Sequence, residues 1–162
     1  MVYLFFKATE KIKMKTRNFE ETKKTGEKFA EKLLGIKNLK KAKVIVLYGD
    51  LGSGKTTFVQ GFAKGLGIKK RIISPTFVIV RSYELRIKNK ELRSFYHIDL
   101  YRVRSEDEIK NLGFEEIIND PENIVAVEWG EKLGNLLPGK RWDIRFNYVG
   151  ETKRKIAINE LT

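Results

Sequence analysis

Residues 44–58 read Val-Ile-Val-Leu-Tyr-Gly-Asp-Leu-Gly-Ser-Gly-Lys-Thr-Thr-Phe. Gly49 is followed by four residues and then by Gly54-Lys55-Thr56. The run Val44–Tyr48 is short, apolar and rich in β-branched residues, as in a strand buried on both faces. Beyond the glycines, Phe58, Val59, Phe62, Ala63 and Leu66 mark one face of a helix closing near Gly65 or Gly67. Strand, glycine loop and helix, with further strands downstream, indicate a three-layer α/β domain: a central, mostly parallel mixed sheet flanked by helices.

Each residue of the loop has a physical reason. Gly49, Gly52 and Gly54 let the backbone turn tightly and aim its N–H groups at phosphate oxygens, with Asp50, Leu51 and Ser53 contributing main-chain groups between them. The helix opening at Gly54 adds the positive end of its dipole. Lys55 reaches β- and γ-phosphates, the Thr56 hydroxyl suits Mg²⁺, and Thr57 falls near the α-phosphate. A glycine-rich turn that matches by accident is the competing reading. The strand before the loop and the amphipathic helix after it are the context that a phosphate loop requires.

A phosphate loop needs an acid at the end of another strand to hold the metal and orient water. Glu128 closes Ile124-Val125-Ala126-Val127, and Asp99 closes Phe95-Tyr96-His97-Ile98. Glu128 is favoured for the metal and Asp99 as a second acid near the γ-phosphate. Ser74-Pro75-Thr76-Phe77 lies where such proteins often carry a phosphate-sensing loop, with the Thr76 hydroxyl as sensor; the plain alternative is a proline turn. Trp129-Gly130 reads as a hinge or a packed aromatic, and His97 as a strand residue with a satisfied hydrogen bond.

The rest of the chain fits one domain. Asn18 caps a helix whose Phe19, Thr22, Gly26, Phe29, Ala30, Leu33 and Leu34 recur at helical spacing up to Gly35. Strands are predicted over 77–85, 92–100 and 124–128, and Arg141–Val149 with Lys153–Asn159 alternate as a terminal antiparallel pair. Ser105 and Glu108 form a capping-box pattern at a short helix. The domain reading is a basic extension over 1–17, with residues 1–13 looking detachable, and a single domain of P-loop NTPase type over 18–162.

Cysteine is absent and His97 is the sole histidine, which removes disulfide, thiolate and multi-histidine chemistry. The apolar run Val2–Phe6 is too short for a membrane span or signal core, so a cytoplasmic, non-membrane protein is expected. Of the net charge of +12, residues 1–43 carry 13 Lys/Arg against 5 Asp/Glu (+8), 44–139 carry 14 against 13 (+1), and 140–162 carry 6 against 3 (+3). The basic ends are candidates for RNA contact, although a lysine-rich surface is also an ordinary adaptation to heat. A guanine-reading Asn-Lys-x-Asp is missing, since Asn89-Lys90-Glu91 continues to Leu92. An arginine-rich lid is missing too. The residues alone leave an ATPase, a small kinase or a non-catalytic nucleotide-dependent binding module.

Gly49–Phe58, Ser74–Phe77, His97-Ile98-Asp99-Leu100-Tyr101-Arg102 and Glu128-Trp129-Gly130-Glu131-Lys132 resemble the bacterial TsaE (YjeE) family. Glu21-Thr22, Leu112-Gly113-Phe114-Glu115-Glu116 and Leu136-Leu137-Pro138 fit the same pattern, from about residue 20 to 138. The family often has Pro where Gly130 stands, a difference read as neutral, and residues 1–13 have no counterpart. The resemblance implies ATP and Mg²⁺ held by Thr56 and Glu128, with Thr76 in a switch-like loop and Asp99 in the active site. It implies a Mg²⁺-dependent ATPase needed for threonylcarbamoyladenosine at A37 of ANN-decoding tRNAs. The TsaB–TsaD complex is the implied partner, its turnover coupled to ATP hydrolysis. No arginine finger is evident in the chain, so weak activity alone is expected.

Overall fold

The computed structural model describes residues 11–37, 39–88 and 92–162. The first ten residues of the expected extension lie outside the described residues. The elements run β1 (Lys11–Thr16), α1 (Phe19–Leu34), β2 (Lys43–Tyr48), α2 (Lys55–Gly65), β3 (Val80–Glu84), β4 (Ser94–Asp99), α3 (Glu106–Asn111), α4 (Phe114–Asn119), β5 (Asn123–Glu128), a 3-10 segment (Gly130–Leu136), β6 (Arg141–Tyr148) and β7 (Arg154–Leu161).

Among the described residues the strands form one sheet in the order β1-β7-β6-β2-β5-β4-β3. β2 pairs in parallel with β5 and β6, and β4 in parallel with β5. The outer pairs β1–β7, β6–β7 and β3–β4 are antiparallel. This is the mixed, mostly parallel three-layer architecture that the strand–loop–helix unit predicts.

The continuous apolar run of β2 is explained by two cores. Ile45 and Leu47 pack with Phe29, Phe58, Phe62 and Phe95 beneath α1 and α2. Val44 and Val46 pack on the other face with Val125, Val127, Ile109 and Phe114 beneath α3 and α4. Alternate side chains of one strand thus serve opposite layers. Because β2 is central, the loop at its end is anchored from both sides.

The helix caps follow the sequence reading. Asn18 Oδ1 accepts from the Glu21 N–H at 2.9 Å, and Ser105 Oγ from the Glu108 N–H at 3.3 Å. The reciprocal half of the box differs, because the Glu108 carboxylate takes the Arg104 N–H at 3.3 Å. Two expectations shift. Lys11–Thr16, read as part of an extension, is an edge strand in register with Arg154–Asn159 of β7. The strand predicted from residue 77 begins only at Val80, because the N–H groups of Val78 and Ile79 fold back onto the Pro75 carbonyl at 2.9 and 2.6 Å.

Candidate active site

A cleft of about 370 Å³ opens at the carboxyl ends of β2, β4 and β5. Gly52, Gly54, Lys55, Thr56, Thr57, Ser74, Thr76, Asp99, Glu128 and Trp129 are among the residues lining it. This is where an open α/β sheet places its ligands. A larger groove of about 860 Å³ beside α1 is lined by charges of both signs, among them Glu20, Glu27, Lys23, Lys64, Lys70 and Arg71, and shares no lining residue with the cleft. Its charged groups are mostly solvated, whereas the small cleft collects the converging acids and hydroxyls, so the chemistry belongs to the small one.

The glycine loop has the backbone its sequence calls for. Gly49, Gly52 and Gly54 have φ of 148°, 76° and 105°, values that side chains disfavour. Lys55 opens α2 and is only 5% exposed. Its ammonium donates to the carbonyls of Gly49 and Asp50 and sits 4.1 Å from the ring centroid of Trp129. Burial holds its pKa below the ordinary lysine value, opposed by the carboxylates of Glu128, Glu131, Asp99 and Asp50. The side chain of Asp50 is exposed, and its hydrogen bond to Lys55 is made by its carbonyl.

Asp99 and Glu128 are register partners at the ends of β4 and β5. The Thr56 hydroxyl donates to the Glu128 carboxylate, at 3.0 and 3.1 Å from its two oxygens. His97 Nε2 lies 2.7 Å from Glu128 Oε1. His97 is fully buried and its Nδ1 has no partner among the described residues, where the expected satisfied hydrogen bond holds for one ring nitrogen only. Asp99 faces the loop instead. Its Oδ2 accepts from Thr76 Oγ1 at 2.7 Å and Ser74 Oγ at 2.9 Å, and its Oδ1 from the Tyr101 N–H at 2.9 Å. The two acids thus divide the work: Glu128 meets the phosphate loop, and Asp99 meets the Ser74–Thr76 loop.

Trp129 resolves as a packed aromatic. It takes a left-handed backbone at φ 63°, which turns its ring onto Lys55 and to 5.1 Å from the Tyr101 ring. Gly130 corrects an expectation. A Cβ there would lie 2.1 Å from Val46 Cγ1 and 2.9 Å from the Tyr48 ring, so a larger residue at this position is not neutral.

Sequence reasoning missed the support behind the loop. Tyr148 donates to the Leu51 carbonyl at 2.7 Å, and Arg154 to the carbonyls of Ser53 and Gly52 at 3.0 and 3.1 Å. Both sit about a hundred residues downstream in a strand pattern that carries no phosphate signature.

The oxygen donors fit a hard divalent cation. Thr56 Oγ1 and the Glu128 carboxylate converge on one point of the cleft, and both are ligand types that Mg²⁺ accepts. Among the described residues no group of three His, Cys, Asp or Glu side chains gathers around a point. A cation here would therefore need ligands beyond these side chains, and Mg²⁺ commonly keeps several that the protein does not supply.

Comparison with known proteins identifies the family. The family model described as "Threonylcarbamoyl adenosine biosynthesis protein TsaE" matches residues 16–156. The tRNA threonylcarbamoyladenosine biosynthesis protein TsaE of Bacillus subtilis is 37% identical over 149 residues, covering 92% of this chain and 85% of that protein. Its namesake from Borreliella burgdorferi is 44% identical over 118 residues, covering 72% and 81%. The crystal structure of Bacillus subtilis YdiB superposes with a TM-score of 0.71 at 32% identity, covering 95% of this chain and 88% of that one. With its sheet, glycine loop and paired acids in place, this chain belongs to the TsaE family of tRNA threonylcarbamoyladenosine biosynthesis.

Proposed function

We propose that the chain is a Mg²⁺-dependent ATPase of this pathway, working in the cytoplasm with the TsaB–TsaD complex and coupling ATP hydrolysis to its turnover. The observation that carries the reading is the junction of Thr56 with Glu128, which joins the phosphate loop to an acid on a neighbouring strand. Thr56 and Glu128 would hold Mg²⁺, which when bound neutralises charge on the β- and γ-phosphate oxygens. The N–H groups of the loop and the ammonium of Lys55 bind and orient the triphosphate. Asp99 fixes the Ser74–Thr76 loop beside it, and Thr76 reports on the γ-phosphate through that contact.

Low activity in isolation also has support. No arginine lines the cleft among the described residues. Charge developing on the transferred phosphoryl group then lacks an arginine unless a partner supplies one. The test is ATP hydrolysis by the purified chain with and without TsaB–TsaD and tRNA. The reading expects Mg²⁺-dependent release of phosphate that rises with the complex and disappears in Lys55→Ala. Transfer of the phosphate to a metabolite would identify a kinase. Full partner function over many cycles with a non-hydrolysable analogue would identify a binding module.

A further inference from the structure

Arg154 opens β7 and is only 4% exposed. A buried guanidinium ordinarily meets a carboxylate. This one makes all its described hydrogen bonds to backbone carbonyls. Nη1 donates to Gly150, Glu151 and Lys153 at 3.2, 3.0 and 3.0 Å, binding the β6–β7 turn into a collar. Nε and Nη2 donate to Ser53 and Gly52 of the phosphate loop at 3.0 and 3.1 Å. Its guanidinium also lies 4.3 Å from the ring centroid of Tyr148, whose hydroxyl takes the next loop carbonyl, Leu51, at 2.7 Å. Arg154 itself does not line the cleft.

A trans peptide sets its C=O and the following N–H in opposite directions. Holding the Leu51 and Ser53 carbonyls on the hairpin side therefore aims the N–H groups of Gly52 and Gly54 the other way. These glycines line the cleft. The carbonyls of Gly49 and Asp50 are held by Lys55. Every carbonyl from Gly49 to Ser53 thus has a fixed donor, in a stretch whose glycines would otherwise leave the backbone free to reorient.

We propose that Arg154, with Tyr148, is a positioning residue for phosphate binding: it locks the loop carbonyls away from the cleft and adds a buried positive charge behind them. This rests on the nucleotide reading of the site. The charge raises the potential felt by an anion on the other side of the loop, and the locked carbonyls remove the main-chain oxygens that would repel it. Phosphate affinity then depends on a residue that touches no phosphate.

The test is calorimetric titration of the full chain with ATP, ADP and adenosine, for wild type, Lys55→Ala, Arg154→Lys, Arg154→Met and Tyr148→Phe. Hydrogen bonds to charged groups are worth about 1.5–3 kcal/mol, roughly 10-fold or more in affinity. Arg154→Met is expected to lose at least that for ATP and for ADP, whose α- and β-phosphates the loop N–H groups cradle, and nothing for adenosine. Arg154→Lys retains the charge without the fork and should fall between. Tyr148→Phe removes one exposed hydroxyl, leaves the melting temperature unchanged, and should weaken ATP several-fold. A merely structural Arg154 would weaken all three ligands alike, or only lower the melting temperature, and either result overturns the proposal. Wild-type ATP affinity in Tyr148→Phe and in a folded Arg154→Met, with binding lost in Lys55→Ala, overturns it while leaving the nucleotide reading intact. A wild-type chain that binds no ATP removes both. Should Arg154→Met fail to fold, Tyr148→Phe and Arg154→Lys decide.

Discussion

Thr56 and Glu128 stand 72 residues apart in sequence, yet the threonine hydroxyl reaches both oxygens of the carboxylate, at 3.0 and 3.1 Å. The parallel pairing of β2 with β5 brings them together, since Leu47 and Glu128 are register partners. Glu128 is buried, and His97 Nε2 also meets one of its oxygens, at 2.7 Å. Its carboxylate is thus set before any ligand arrives. Glu128→Gln preserves the shape while removing the charge that would hold a cation. Turnover is expected to fall by at least about 100-fold, on the scale of losing one preorganised electrostatic contact. ATP binding without added Mg²⁺ should change little. Steady-state phosphate release and a metal-free binding titration check the two halves, and normal turnover would refute the assignment.

Thr76 and Ser74 converge on a single oxygen of Asp99. The side chains around them face outward: Phe77 is 84% exposed, and Ile73 and Val78 are also exposed. Thr76→Val removes one hydroxyl at nearly constant volume. Amide exchange over 73–79 should speed up, and turnover should fall more than ATP affinity does. Equal losses in both, with exchange unchanged, would make Thr76 an ordinary binding contact.

The sequence made the central site legible because its parts are local. The apolar strand, the glycine spacing and the acids ending Ile124–Val127 and Phe95–Ile98 each show within a few residues. Register alone then had to join them, and parallel neighbours ending at one edge do so. The supports were not legible. Tyr148 and Arg154 lie in an alternating strand, and nothing in the pattern says that their polar tips turn onto loop carbonyls. Lys11–Thr16 was obscured by its composition, since an edge strand with lysines on its exposed face reads like a solvated tail. Phe77–Ile79 failed for the opposite reason: apolar residues that suggest a strand are held in a turn by Pro75.

Trp129 and Trp142 provide a built-in comparison of site and core. Trp129 lines the cleft beneath the Lys55 ammonium, whereas Trp142 is buried in the core beneath α1 and α2. Binding of ATP should draw Lys55 toward phosphate and change the emission of Trp129 alone. Trp129→Phe is expected to abolish the nucleotide-dependent fluorescence change while leaving the Trp142 signal. It should weaken ATP binding only a few-fold, because a phenyl ring retains part of a cation–π contact worth about 0.5–2 kcal/mol. A response that survives in Trp129→Phe would place the bound nucleotide elsewhere.

Gly130 follows a residue already in the left-handed region, and its α-carbon is pressed against β2. A methyl at 130 would meet Val46 Cγ1 at 2.1 Å, and Val46 is fully buried between neighbouring strands. Neither partner can withdraw without disturbing the strand that leads into the phosphate loop. Proline brings the same β-carbon and further ring atoms into this space. Gly130→Ala is expected to cost about 1–3 kcal/mol, the range for overpacking a core, and Gly130→Pro more. Gly139→Ala is the control, with nothing within 4 Å of its added carbon. Urea unfolding of the three variants measures the difference. Beyond stability, Gly130→Ala should weaken ATP binding, since the displacement reaches Lys55 through Trp129 and the loop through Val46. Equal stability of the alanine variants at 130 and 139 would show that Val46 yields freely and that this contact sets nothing.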